Sequence, residues 1–158
     1  MESAGTGGAA DARPPSLRAT LLYAAAALLA LVGVADSVYL TVQHLLGNTL
    51  RCTLTSGCSE VLSSPYASVA GLPLAAVGAV AYFTAFSLAT LAAFGYRSLR
   101  GPLAALVALM FAFTLWLLYV QAFVLEAFCT YCLVSAAVTT TLTVLLVLVP
   151  LLRRRRLD

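Results

Sequence analysis

Four cysteines are the residues best suited to chemistry in this chain, and they fall in two close pairs, Cys52/Cys58 and Cys129/Cys132. The second pair has the spacing Cys129-Thr130-Tyr131-Cys132 and stands just before Leu133–Leu152, a stretch without a charged residue. A helix of that length spans about 30 Å, the thickness of a bilayer's hydrocarbon core. The two thiols therefore belong at a membrane surface, where a helix begins. If both lie in its first turn, the i, i+3 spacing puts them on one face, with Cys132 about 4.5 Å deeper than Cys129. The positive end of a helix favours thiolate over thiol, so helix electrostatics alone make Cys129 the more acidic of the two. One sulfur can then meet water-side chemistry and the other a lipid-soluble molecule.

The first pair lies in Gly47–Leu72, the only sizeable polar interval between apolar segments. Five residues separate Cys52 from Cys58. That is enough for a turn to bring their Cα atoms within the ~4.4–6.8 Å that a disulfide requires, and Gly57 should help it close. Ser59–Leu62 reads as a short helix ended by Pro65. Val61, Leu62, Tyr66 and Val69 are too apolar for a free loop, so the segment should lie along a membrane surface. Three readings of the cysteines compete. They are buried and inert, or all four ligate one zinc ion in a helical scaffold without turnover, or they form two exchangeable disulfides.

The elements that must hold these residues are helical and membranous. The chain is 62% hydrophobic and 9% charged over 158 residues, a composition foreign to a soluble domain. Residues 1–16 read as a cytoplasmic tail without fixed structure, residues 17–152 as a four-span membrane domain and residues 153–158 as a basic cytoplasmic tail. The spans are expected at about Leu17–Leu40 (extending as far as Leu46), Pro73–Phe94, Pro102–Leu125 and from Cys129 or Cys132 to Leu152. Cleavage as a signal peptide at Gly33-Val34-Ala35 is a competing reading, opposed by the apolar residues that follow. Gly71, Gly78 and the many alanines suit close helix packing. Asp36, Tyr39 and Gln43 share one face of span one, and an acid within a span should face protein or water. His44 reads as a solvated or satisfied residue near the outer end.

The charged residues set sidedness. All nine basic residues are arginines, and eight of them (Arg13, Arg18, Arg97, Arg100 and Arg153–Arg156) fall on one side of a four-span chain. The positive-inside rule makes that side cytoplasmic. The Arg153–Arg156 run reads as an anchor and not as a nucleic-acid contact, so no nucleic acid is expected as a partner. All four cysteines then lie outside, where disulfides persist.

These residues resemble the vitamin K epoxide reductase family, in its prokaryotic disulfide-generating branch. The resemblance rests on Ser37-Val38-Tyr39-Leu40-Thr41, on Cys52 with Cys58-Ser59-Glu60-Val61-Leu62-Ser63-Ser64-Pro65-Tyr66-Ala67, on Gly71-Leu72-Pro73-Leu74 and on Phe128-Cys129-Thr130-Tyr131-Cys132. It implies an all-α integral membrane four-helix bundle around a quinone of menaquinone, ubiquinone or phylloquinone type, with the loop's half-helix as a lid. By position, Cys52 takes electrons from a partner thiol, Cys58 is its resolving mate and exchanges with Cys129, and Cys132 faces the quinone. The family's loop serine corresponds to Ser63 or Ser64, and Asp36 is a further supporting candidate. No fused thioredoxin-like domain follows as far as Asp158, so the expected partner is a separate thioredoxin-fold thiol oxidant. The implied function is quinone-dependent generation of disulfides outside a bacterial cytoplasmic membrane. The reverse enzyme, a thiol-driven quinone or vitamin K epoxide reductase, is the alternative. Animal members place a tyrosine and an asparagine where this chain has Ala136 and Leu74, which counts against the epoxide.

The arginine pattern gives a first test. Impermeant thiol reagents applied to intact, reduced cells should label Cys52 or Cys58. Labelling only after the membrane is broken would overturn the sidedness.

Overall fold

In the computed structural model, residues 17–47, 57–69 and 71–148 are described. The described chain is helical throughout apart from one two-residue strand pair. Helix α1 covers Leu17–Leu45, the short α2 Cys58–Ser63, α3 Leu74–Ala93, α4 Arg100–Phe123 and α5 Thr130–Thr143, which continues as a π-helical stretch over Val144–Leu148. Strands β1 (Ser68–Val69) and β2 (Leu72–Pro73) pair antiparallel and lead into α3.

Local sequence sets these boundaries. Pro65 opens a 3-10 turn directly after α2, Pro73 precedes α3, and Pro102 falls in the first turn of α4, where its missing N–H costs nothing. Gly95 ends α3 with φ +106°, a conformation that suits glycine. Hydroxyls inside the apolar helices bond back to the carbonyl four residues earlier, as Thr41 does to Ser37 at 2.7 Å and Thr140 to Ala136 at 2.7 Å. This removes the cost of an unpaired polar group in lipid.

Among the described residues, three stretches are long and apolar enough to cross a membrane: Leu17–Leu45, Leu74–Ala93 and Arg97–Phe123. The described part of α5 is shorter, and residues 149–158, where the sequence expects span four to end, lie outside the described residues. Helix α1 runs unbroken through Gly33-Val34-Ala35. Large apolar side chains point outward along the spans, Leu109 at 69% and Val80 at 67% exposure, as a lipid-facing surface requires.

Packing runs around a ring. α1 lies against α3 and α5, and α4 against the same two helices. The α1–α3 seam is built from small residues, with Ala26, Ala27 and Ala30 meeting Ala85 and Ala89. Close approach of two helices in lipid depends on such residues, since apolar burial gains little there. Gly78 fits this pattern, because a Cβ there would come within 3.3 Å of Ser37 Oγ. Gly71 does not. A Cβ there would meet nothing within 4 Å among the described residues, and its φ of +81° shows that it serves the turn between β1 and β2. At the far end of the molecule Arg100 lies over the ring of Tyr23, tying the start of α4 to the first turns of α1.

The seam's tightest point is Gly33 against the ring of Tyr82. A Cβ on Gly33 would stand within 2.7 Å of Tyr82 Cγ. Tyr82 is buried, and its hydroxyl lies 2.6 Å from Thr139 Oγ1 and 2.8 Å from Ser135 Oγ, joining α3 to α5. Gly33→Ala should displace the ring, loosen that bond set and cost roughly 1–3 kcal/mol. Thermal unfolding in detergent measures it. An unchanged midpoint would show that the seam can open freely.

Candidate functional site

The site is assembled where α2, the start of α5 and the end of α4 converge. Cys129 is the N-cap of α5, with extended backbone (φ −98°, ψ 121°), so it stands just outside the helix instead of within its first turn. Cys132 is the third helical residue, and its thiol acts on the Cys129 sulfur electrostatically. The N-cap and third positions approach one another by the same geometry that joins a capping box.

Cys129 is fully buried, as is Cys58. Their sulfurs are 3.5 Å apart. Cys58 is disulfide-bonded and carries no proton, so this is a contact between a disulfide sulfur and its neighbour. Cys129 and Cys132 are free thiols. A free sulfur 3.5 Å from a disulfide sulfur is at near-attack distance for thiol–disulfide exchange. Cys52 lies outside the described residues.

The Cys129 thiol is also made acidic. The Cys132 side chain is the largest cause, and the backbone N–H groups of Cys132 and Tyr131 add to it. Burial and the charge of Asp36 oppose them, and the net result is a pKa lowered to about 7. Thiolate is the major form above that pH, and the thiolate is the attacking species.

Two residues hold the sulfurs in register. Gly57 precedes α2 with an ordinary backbone (φ −88°, ψ 2°), so conformational freedom is not its contribution. Space is: a Cβ there would come within 2.9 Å of Ala127 Cβ and of the Phe128 backbone nitrogen. The chain before Cys58 thus lies directly on the chain before Cys129. Gln121, buried in the last turn of α4, accepts a hydrogen bond from the Cys129 N–H through Oε1 at 3.1 Å, while its carbonyl accepts one from Ala127 N–H. The sequence reading overlooked Gln121. Its signal was available, since an uncharged amide within an apolar span needs a partner.

Beside the cysteines is a cavity of about 410 Å³, within the range of small-molecule sites. Its wall is mostly apolar, with Leu40, Leu106, Met110, Phe113 and Leu117 among its members, and Cys132 opens onto it. Val61, Leu62, Ser64 and Tyr66 cover one side. Tyr66 meets Trp116 of α4 edge-on at 6.3 Å between ring centres. The two serine candidates separate here. Ser64 lines the cavity and donates to Val61 O at 2.7 Å, whereas Ser63 is exposed and donates to Glu60 O. Asp36 lines the cavity too, and its Oδ2 is buried without a hydrogen-bond partner. Tyr39 contacts Tyr131 inside the Cys-x-x-Cys segment, with ring centres 5.3 Å apart. His44, Leu74 and Ala136, also singled out from sequence, line the same wall.

The Gly57 contact is testable. Gly57→Ala must push α2 off the Ala127–Phe128 backbone, and a misplacement near 1 Å can cost about 100-fold in rate. Electron transfer between the loop cysteine and Cys129, followed by quenched thiol trapping, should slow by roughly 10- to 100-fold. The Cys129/Cys132 pair should keep its reactivity toward a small disulfide. An unchanged transfer rate would show that exchange does not pass through this contact.

A free thiol held acidic against a disulfide, next to a second thiol on the wall of an apolar cavity, agrees with what a comparison of the sequence found. The profile of the Vitamin K epoxide reductase family matches residues 24–147, a span that contains α2, the cavity-lining residues and all four cysteines. The chain belongs to the vitamin K epoxide reductase family.

Proposed function

We propose that this oxidoreductase carries electrons from a thioredoxin-fold thiol partner to a membrane quinone, and so drives disulfide formation outside the cytoplasm. Family membership implies membrane quinone-linked thiol chemistry, and three apolar helices of membrane length agree with it. In this reading α1, α3, α4 and α5 are the four spans, α2 and its flanking residues are a lid, and both termini are cytoplasmic.

The observation that carries the reading is the 3.5 Å contact between Cys58 and Cys129. A partner thiol reduces the Cys52–Cys58 disulfide by attack on Cys52. The freed Cys58 thiolate attacks Cys129 in the oxidised Cys129–Cys132 pair. The sulfurs now in contact are those that would join in the mixed disulfide, whichever way the exchange runs. Cys132 leaves as a thiolate on the cavity wall. The partner's second thiol then releases Cys52, whose thiolate attacks Cys58, re-forms the loop disulfide and frees Cys129, so that Cys132 and Cys129 can give two electrons to the quinone as their own disulfide closes.

Two features favour a quinone over vitamin K epoxide as the acceptor. Leu74 and Ala136 both line the cavity, so the asparagine and tyrosine of the animal enzymes are replaced by apolar wall. The remaining polar groups are largely engaged, Gln121 by Cys129 and Tyr82 by Ser135 and Thr139. The zinc-scaffold reading is disfavoured, since a disulfide-bonded Cys58 offers no thiolate to a metal.

The test is turnover in detergent with a reduced thioredoxin-fold protein and a soluble quinone, followed as quinol. Cys132→Ser should abolish quinol formation while the loop pair still exchanges with the partner. Substantial quinol from Cys132→Ser would overturn the order of the relay. Tightly bound zinc with no turnover in the native protein would favour the scaffold.

A further inference from the structure

We propose that Asp36 is the proton carrier of the quinone-reducing end of the site, taking the proton that Cys132 gives up and returning it to a quinone oxygen. The inference rests on the quinone-linked reading above and deepens it.

Among the described residues, Asp36 is the only carboxylate on the cavity wall, which it shares with Cys132. Its Oδ2 is shut off from solvent and has no hydrogen-bond partner. An acid kept for structure at this depth should have its oxygens paired, because an unpaired buried polar atom costs free energy with no return. A buried, unpaired oxygen on a residue that lines a ligand cavity is instead free to carry a proton. Three of the neighbouring polar groups are already committed. Ser64 is bonded to Val61 O, Gln121 to Cys129 N–H and the Tyr82 hydroxyl to α5. The Asp36 charge also reaches the cysteine pair, where it opposes ionisation of Cys129. A base that discourages the thiolate while empty, and ceases to do so once protonated, couples removal of the proton to activation of the sulfur.

The step balances. Cys129 and Cys132 together lose two protons and two electrons, their sulfurs join as a disulfide, and the quinone gains both pairs and leaves as quinol. Asp36 takes the Cys132 proton as that sulfur becomes nucleophilic, and passes it to the first quinone oxygen. Once emptied, it takes the second proton, from Cys129 below that thiol's pKa and from water above it, and passes it to the second oxygen. It ends as the carboxylate with which it began.

The test uses Asp36→Asn and Asp36→Glu in the full chain. Single-turnover quinol formation by the pre-reduced protein should fall about 100-fold or more in Asp36→Asn, the scale of general acid–base catalysis, and recover in Asp36→Glu. Exchange between the loop pair and a thiol partner should be retained. A second readout needs no quinone. With the negative charge removed, thiolate absorbance of the reduced Cys129/Cys132 pair should appear at lower pH in Asp36→Asn. The titratable groups to be distinguished are Tyr39 and His44 on α1, Tyr66 in the lid, Tyr82 on α3, and Cys129, Tyr131 and Cys132 at the start of α5. The limb of the pH–rate profile owed to Asp36 should vanish in Asp36→Asn alone. Wild-type rate and pH profile in Asp36→Asn would overturn the proposal, as would loss of loop exchange in both variants, which marks a structural role. A wild-type protein that exchanges thiols but reduces no quinone would instead fell the quinone-linked reading, and this inference with it.

Discussion

The supports around the candidate site converge on one contact, that between the sulfurs of Cys58 and Cys129. The two residues are 71 positions apart and belong to different elements, so their 3.5 Å separation must be enforced from outside the pair. From one side Gly57 lays the loop on the Ala127–Phe128 backbone with no room for a side chain. From the other, Gln121 holds the Cys129 N–H and the turn that precedes it. Exchange between sulfurs depends steeply on approach and alignment, and a few tenths of an ångström at either support would be felt in rate.

The electrostatics of the pair follow from the same placement. Because Cys129 is the N-cap and not an interior residue, its sulfur meets the N–H groups of the first turn and the thiol of Cys132 together. Their combined effect outweighs burial, which by itself would raise a thiol's pKa. Helix-end electrostatics and the Cys-x-x-Cys spacing therefore act on one sulfur, the one facing the disulfide of Cys58. Cys132 is left to face the cavity.

The scaffold solves a different problem. In lipid there is little apolar driving force between helices, so α1 and α3 are joined by small residues and short polar links. Gly33 receives the Tyr82 ring, and the Tyr82 hydroxyl reaches α5 through Ser135 and Thr139. This seam fixes the wall from which Asp36 looks into the cavity.

Much of this was determined by sequence alone. Apolar runs of membrane length, prolines and glycines at their ends, and the short helix after Cys58 are local properties, set by hydropathy and by backbone chemistry within a few residues. The cysteine spacing and the Cys58–Ala67 stretch were enough to point to the family. The tertiary structure decided what depends on residues far apart in the chain. Only packing could show that Gly57 is needed for space and not for its backbone angles, that Gly71 serves a turn, and that Ser64, not Ser63, faces the cavity. Gln121 and Asp36 gain their meaning the same way, since a partner for one and an open side for the other are properties of neighbours that no local pattern specifies. A sequence records which polar groups enter the membrane. Which of them end up paired depends on how the helices meet.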